Sequence, residues 1–189
     1  MYYTYTIKDT IRITPEYFNE PPEKAAAEIL QKKYERILDK DLGLLLAVYN
    51  VRDISGGEIL PEDPAIYYNV TFDALAFNLE IEEVIVGEVS ELAEFGCFVR
   101  IGPMEGLVHI SQITDEFMSL DRKSNMLISK STKRVLKKGD IVYAKVSTIS
   151  MKNNIKESKI ALTMRPEGLG KLEWQSEGKE TRKRKQQKK

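Results

Sequence analysis

The sequence predicts an α+β domain followed by a small all-β barrel. Three observations support this. A single long amphipathic helical pattern lies near the start, between strand-like segments. From residue 84 onward, short alternating segments that end in glycines replace the helical pattern. The chain has 189 residues, which is enough for two small domains.

The first domain is predicted over residues 1–79. Residues 1–13 alternate and are rich in Tyr, Thr and Ile, which is typical of a strand. Thr14 and Pro15 open a short helical turn in TPEYF, and a long helix lies within PPEKAAAEILQKKYERILDK. Its residues at helical spacing on one face are Ala26, Ile29, Leu30, Lys33, Tyr34, Ile37 and Leu38.

The rest of this domain is predicted to be strands. Residues 42–54 form a buried strand, and residues 66–79 form one strand or a pair. Between them, SGGEILPEDPA has the glycines and prolines of a loop. The element order is therefore strand, helix and then strands.

The second domain is predicted over residues 80–174. Five short strands indicate a small barrel, at 84–92, 96–102, 106–110, 141–149 and 159–164. An insertion at 112–138 separates the third strand from the fourth. Between residues 122 and 138 it has seven Lys or Arg and no acidic residue, and NMLISK is a candidate extra strand. A connection of this length usually has a function or a structure of its own.

Composition narrows the classes of function. No apolar run approaches the ~20 residues of a membrane helix. The start lacks the features of a signal peptide, so we expect a cytoplasmic protein without a membrane partner. One cysteine and one histidine are too few for an internal disulfide or a zinc site. Phosphate-loop and dinucleotide motifs are missing, so no catalytic residue, metal or cofactor is expected.

Charge differs between the two halves of the chain. Residues 1–94 have 8 basic and 19 acidic residues, and residues 95–189 have 21 basic and 10 acidic ones. This predicts either two surfaces with different partners or two domains whose compositions differ without an electrostatic role. Residues 175–189 form a basic tail that we expect to be disordered, serving either to contact RNA or to keep the chain soluble.

Alternation along the barrel strands separates core positions from outer ones. In the second strand Cys97, Val99 and Ile101 are core, whereas Phe98 and Arg100 face outward. The same rule places these residues in the core: Val108, Ile110, Val142, Ala144, Val146, Ile160, Leu162 and Met164. It leaves these residues outside, with Phe95 at a turn beside them: Leu107, His109, Tyr143, Lys145, Lys159, Ala161 and Thr163.

Aromatic rings between cations predict a platform for unpaired nucleotides. Bases stack on the rings for about 1–3 kcal/mol each, and Lys and Arg hold the phosphates. Single-stranded RNA can be bound in this way, whereas a duplex hides its bases. The alternative is that Phe95 and Phe98 are core residues at the barrel end and His109 is merely exposed.

The stretch GEVSELAEFGCFVRIGPMEGLVHISQI resembles the S1 RNA-binding domain, which has an OB fold. KKGDIVYAKVSTIS and KIALTM match the last two strands of that family. The resemblance implies that Phe95, Phe98 and His109 line an RNA-binding face. The family often has an acidic residue after the fourth strand and a basic one beyond it. Ser150 stands near the acidic position here, and Lys152 follows it.

Nearly the whole of residues 1–174 resembles the archaeal E-prime family of RNA polymerase subunits, whose eukaryotic counterpart is the seventh subunit of RNA polymerase II. The matching segments include MYYTYTIKDTIRITPEYF, YERILDKDLGLLLAV and GGEILPEDPAIYYNVTFDALAF. The resemblance implies a truncated ribonucleoprotein-like domain before the S1 barrel. It also implies a non-catalytic stalk subunit that pairs with the small helical polymerase protein called F, docks on the polymerase core and binds nascent single-stranded RNA.

The predicted site residues form two groups. For RNA binding they are Phe95, Phe98, Arg100, His109, Tyr143, Lys145, Lys152 and Lys159. For polymerase docking they are Gly56, Gly57, Glu58, Ile59, Leu60 and Pro61. Two other functions remain open: an S1 adaptor in translation or RNA decay, and an assembly subunit whose RNA face is idle.

Overall fold

The computed structural model describes residues 1–129, 131–132, 134–152 and 158–174. It divides into two compact units, of which the first contains Met1–Asn78 and the second contains Leu79–Met151 and residues 158–174. The predicted tail at 175–189 lies outside the described residues. In the described part of the chain, no helix has the length and apolarity needed to cross a membrane.

The first unit is an antiparallel sheet covered by one helix. Its elements are β1 (Tyr2–Ile13), a 3-10 helix (Pro15–Tyr17), α1 (Pro22–Tyr34), β2 (Leu38–Asp39), β3 (Gly43–Arg52), β4 (Glu58–Ile59) and β5 (Ile66–Phe77). The strand order is β1-β5-β3-β2, and β4 pairs with β5. Ala26 and Leu30 of α1 are fully buried in a core that includes Ile11 and Phe72. The predicted α+β class is confirmed.

The helix is shorter than predicted. It ends at Tyr34, because Glu35 is extended and Arg36 has a φ of 66°. The chain then pairs with β3, where Arg36 N donates to Leu45 O at 2.8 Å and Leu45 N to Ile37 O at 2.9 Å. Ile37 is therefore 47% exposed, and its predicted place on the buried helical face is wrong. Sheet pairing outweighs helical periodicity here.

The second unit is a barrel with an inserted sheet. Its elements are β6 (Val84–Ala93), β7 (Gly96–Ile101), β8 (Met104–His109), a 3-10 helix (Ile110–Gln112), β9 (Met118–Asp121), β10 (Met126–Ser129), β11 (Val135–Lys137), β12 (Ile141–Ser150), β13 (Lys159–Thr163) and β14 (Gly170–Lys171). The order β13-β8-β7-β6-β12 closes through pairing of β12 with β13. The predicted five-stranded barrel is confirmed.

Alternation identified most of the barrel core. Cys97, Val99, Val108 and Val146 have no exposed surface, as predicted. Two positions differ. Ile110 lies in the 3-10 helix and is only half-buried. Thr163, which was predicted to be outside, is buried, because its hydroxyl donates to Gln112 Oε1 at 2.9 Å from the segment that begins the insertion.

The insertion forms a three-stranded antiparallel sheet in the order β11-β10-β9, so the strand predicted for NMLISK is confirmed as β10. Hydroxyl groups of Ser129, Ser131 and Thr132 donate to the Glu116 carboxylate. These bonds favour the charged form and lower the pKa of Glu116 from 4.5 to about 2. The insertion thus has its own hydrogen-bonded anchor.

Candidate nucleic-acid interface

The β7–β8 hairpin brings the predicted rings and histidine together. Phe98 pairs with Leu107, and Gly96 pairs with His109. Leu107 and His109 are two residues apart on β8, so they lie on the same face of the sheet as Phe98. Diagonal neighbours on adjacent antiparallel strands are about 7–8 Å apart. His109 is therefore close to Phe98 on the outside of the barrel.

Gly96 allows β7 and β8 to approach each other closely beside Phe95 and Phe98. A Cβ at this position would lie 2.1 Å from Val108 O and 3.0 Å from His109 Cα. The φ of Gly96 is 153°. The backbone N–H of Ile110 donates to the carbonyl oxygen of Phe95, the residue before Gly96, at 2.8 Å. Only glycine fits this contact, which places Phe95 beside the end of β8.

Phe95 and Phe98 form a partly exposed aromatic pair. Their ring centroids are 6.1 Å apart and the planes meet at 90°. Phe95 is 50% exposed, and Phe98 is half-buried. An edge-to-face pair is a favourable arrangement of two rings, and it leaves ring surface open to a third planar group. We call Phe95, Phe98 and His109 the ring platform.

His109 is held by its own strand end. The Ser111 backbone N–H donates to Nδ1 at 3.3 Å, and Ser111 Oγ lies 2.8 Å from the same nitrogen. Because Nδ1 accepts a hydrogen bond, the neutral ring carries its proton on Nε2. The exposed imidazole is thus oriented, with its ring proton on Nε2.

The predicted cations differ in their surroundings. Arg100 is outside the barrel, but it pairs with Glu105 across one strand and with Glu88 across the other. Its Nε is 3.9 Å from Glu105 Oε1. Lys159 is exposed at the start of β13, the strand that pairs with β8. The charge of Arg100 is therefore partly neutralised by Glu105, whereas Lys159 lies on β13, next to β8.

The structure does not place Tyr143 and Lys145 on the ring platform. Both are on β12, where they pair with Val86 and Val84 of β6. Strand β6 therefore separates them from Phe98. Tyr143 is half-buried, and the Lys145 ammonium donates to a Glu82 carboxylate oxygen. The expectation that they share one surface with the phenylalanines is wrong, because alternation fixes a side of the sheet and not a place around the barrel.

Lys152 is exposed and follows the end of β12.

The predicted docking residues lie at and beside β4, which forms a hairpin with β5 in the first unit. Glu58 and Ile59 pair with Tyr67 and Ile66, and Ile59 is 72% exposed.

A cluster of side chains holds the base of this hairpin. Arg12 donates to both carboxylate oxygens of Asp63, at 2.9 and 2.6 Å, and the Tyr67 hydroxyl donates to the same group at 2.7 Å. These hydrogen bonds lower the pKa of Asp63. An exposed apolar tip on an anchored base is suited to contact another protein.

Comparison with known proteins gives two family matches. Residues 8–64 match the SHS2 domain found in the N terminus of Rpb7p/Rpc25p/MJ0397, and residues 78–159 match the S1 RNA binding domain. The DNA-directed RNA polymerase subunit Rpo7 of Sulfolobus acidocaldarius is 41% identical over 88% of this chain and 91% of that protein. The chain belongs to the Rpo7 family of RNA polymerase subunits. Rpo7 of Saccharolobus shibatae is 38% identical over 95% of this chain and 99% of that protein.

A different relative shares only part of the chain. Ribonuclease R of Buchnera aphidicola subsp. Schizaphis graminum is 34% identical over 45% of this chain and 11% of that protein. The Rpo7 relatives match far more of the chain than this, so the family resemblance seen in the sequence is confirmed. The first unit is accordingly the SHS2 domain and the barrel is the S1 domain of an Rpo7 family member.

Sequence reasoning missed the contacts that frame the ring platform. Arg122 of the insertion donates through Nε to Glu94 Oε1 at 2.9 Å, next to Phe95. Such a pair is separated by 28 residues, and nothing in local periodicity indicates it. The contact of Ser111 with His109 could have been found from the sequence, because both residues lie in the stretch that resembles the S1 domain.

Proposed function

We propose that the chain is a non-catalytic stalk subunit of DNA-directed RNA polymerase that binds single-stranded RNA as the transcript emerges. Membership of the Rpo7 family supports the place in the polymerase. The observation that carries the RNA-binding role is the ring platform, a partly exposed pair of phenylalanines beside an oriented histidine on an S1 barrel.

The chemistry of the platform favours unpaired nucleotides. Bases stack on Phe95 and Phe98, and His109 offers a ring face and an Nε2 donor. Stacking on a ring does not depend on base identity, so little sequence preference is expected. A duplex would present its backbone rather than its base faces, and it would bind more weakly.

The proposed protein partners are the small polymerase protein F, in a heterodimer, and the RNA polymerase core. The hairpin from Gly56 to Pro61 is the proposed contact with the core, since Ile59 and Leu60 are 72% and 48% exposed. For the F protein, residues at the start of the barrel unit are candidates. Val84 and Val86 are 52% and 55% exposed, which leaves apolar surface for a partner to cover.

In this role the chain supports initiation, processivity and termination in the cytoplasm without a catalytic residue of its own.

An S1 adaptor in translation or RNA decay is the second candidate, since part of the chain is similar to a ribonuclease. A pure assembly role is the third. Copurification with the polymerase core from cells tests the first candidate against the second.

Fluorescence titration of a single-stranded RNA 12-mer tests RNA binding by the full chain. Phe98→Ala or His109→Ala should weaken binding by about 1–3 kcal/mol, or roughly 5- to 150-fold. Phe18→Ala is the matched control, because it removes a 47% exposed phenylalanine from the other unit. If both platform variants bind as the parent chain does, the RNA-binding assignment is wrong and the assembly role gains support.

A further inference from the structure

Few cations lie close to the ring platform. Arg100 lies beside Glu105, and Lys159 is exposed on β13, the strand that pairs with β8. Each nucleotide of a bound strand adds a phosphate charge, and binding is strengthened where lysine or arginine neutralises it. A strand that reaches past the rings has more phosphates than these two residues can neutralise, so cations elsewhere on the barrel unit would strengthen its binding.

Unmatched cations lie together at one end of the insertion sheet. Lys123 is in the β9–β10 turn, and Lys137 and Lys138 are at the end of β11. Met126 pairs with Asp121 on one side and Lys137 on the other, so the turn and the end of β11 lie at the same end of the sheet, on either side of β10. Among the described residues, these three lysines are exposed and make no ion pair. We call them the lysine cluster.

Two connections hold this end of the insertion beside the ring platform. In the first, Arg122 Nε donates to Glu94 Oε1 at 2.9 Å, so the residue before Lys123 contacts the residue before Phe95. In the second, the backbone N–H of Gly139, the residue after Lys138, donates to Val89 O at 2.8 Å.

The second connection continues the pairing of β12 with β6, because Gly139 precedes β12 and Ile141 pairs with Glu88. Two residues beyond Val89, Glu91 pairs with Phe98 on the other side of β6. Lys137 and Lys138 therefore lie across β6 from Phe98, whereas Lys123 follows the residue that contacts Glu94 beside Phe95.

We infer that Lys123, Lys137 and Lys138 are a phosphate-binding extension of the platform that contacts the backbone of the same RNA strand. This inference rests on the proposed function, because the rings must first hold the strand. Lysine suits the task, since its ammonium is a point charge on a flexible stem and needs no fixed geometry. The insertion thereby lengthens the binding site without adding sequence preference.

The test compares two lengths of RNA on the full chain at several salt concentrations. A fluorescein-labelled single-stranded tetramer is short enough to occupy the rings alone, whereas a 12-mer reaches past them. The variant Lys123→Gln, Lys137→Gln, Lys138→Gln should lower the slope of log K against log salt by about 2 for the 12-mer, at ~0.7 for each phosphate contact. Its affinity for the tetramer should stay within about twofold of the parent.

The control variant Lys8→Gln, Lys24→Gln, Lys40→Gln removes the same total charge from exposed positions in the first unit. It should leave the slope for the 12-mer unchanged. An unchanged slope in the cluster variant, an equal loss with the tetramer, or an equal loss in the control would each overturn the inference while the ring platform stands. If the parent chain binds neither RNA, the proposed function and the extension both fail.

Discussion

Strand alternation predicts outward side chains on two flanks of one barrel, and the structure shows that these flanks are different surfaces. The ring platform has Phe95, which is 50% exposed, in an edge-to-face pair with the half-buried Phe98. The flank formed by β6 and β12 presents a half-buried Tyr143 and a Lys145 that is paired with Glu82. We call the latter the β6–β12 flank. Both sets of side chains alternate outward, yet only one of them gathers rings at the surface.

The difference shows what decides a binding face on a small barrel. Alternation determines which side chains leave the core. The register between strands and the order of strands around the barrel determine which of them become neighbours. On β7 and β8 the register brings Phe98 near His109, whereas β6 separates Tyr143 from Phe98. RNA binding should therefore depend on the platform and be indifferent to the β6–β12 flank.

The largest effect is expected from Gly96→Ala, which breaks the platform at its base. The added methyl group would meet Val108 O at 2.1 Å, and backbone cannot move aside cheaply. We expect a loss of about 2–4 kcal/mol in the free energy of unfolding of the barrel unit. Urea unfolding followed by the fluorescence of Trp174, which is buried in this unit, measures it.

The control for this change is Gly56→Ala, where an added Cβ would have no atom within 4 Å. Its stability should stay within about 0.5 kcal/mol of the parent. Equal stability of the Gly96 variant and the parent would mean that the close approach of β7 and β8 is not needed to form the platform.

The next effect separates the two flanks directly. Phe98→Ala should weaken binding of a single-stranded 12-mer by about 1–3 kcal/mol, because a stacking surface is lost. Tyr143→Ala removes a ring of similar size from the β6–β12 flank and should leave the affinity unchanged. Fluorescence titration of both variants measures the contrast, and equal losses would show that the two flanks act together.

A smaller effect concerns pH and the insertion. The folded pKa of Glu116 is lowered to about 2 from 4.5, so its carboxylate stabilises the fold above pH 4.5. That stabilisation falls away as the pH drops from about 4.5 through 2. Glu116→Gln should remove this part of the pH dependence of unfolding while leaving binding of an RNA tetramer at pH 7 intact. A tetramer affinity that falls with the variant would show that the platform depends on the insertion's anchor.

The smallest effect is expected from Lys145→Gln. Its ammonium contacts Glu82 at the surface, so its loss should leave the salt dependence of RNA binding the same within error. A reduction of the slope by ~0.7 would indicate a phosphate contact at Lys145 and extend the interface to the β6–β12 flank.

Much of the fold follows from local patterns. The strands Tyr2–Ile13, Gly96–Ile101 and Ile141–Ser150 lie within a residue or two of their predicted bounds, because periodicity of two is a local property. Ile37 departs from its predicted place, because pairing with β3 competes with the helix after Tyr34. A local sequence pattern does not show that a strand from another part of the chain, here β3, competes for the same residues.

Local patterns suggested members of the candidate site but not how they are grouped. Aromatic content, alternation and the S1 resemblance pointed to Phe95, Phe98 and His109, whose role in RNA binding stays a prediction. The neutralisation of Arg100 by Glu105 and the contact of Arg122 with Glu94 depend on tertiary register. The buried Thr163 is a similar case, since its partner Gln112 lies 51 residues away.

Photochemical crosslinking of a single-stranded 12-mer to the full chain, mapped to residues by mass spectrometry, tests the central claim most directly. The ring platform predicts crosslinks at Phe95, Phe98 and His109, which are lost when a duplex of the same sequence replaces the single strand. Crosslinks concentrated at Tyr143 on the β6–β12 flank, with the two phenylalanines unmodified, would contradict it.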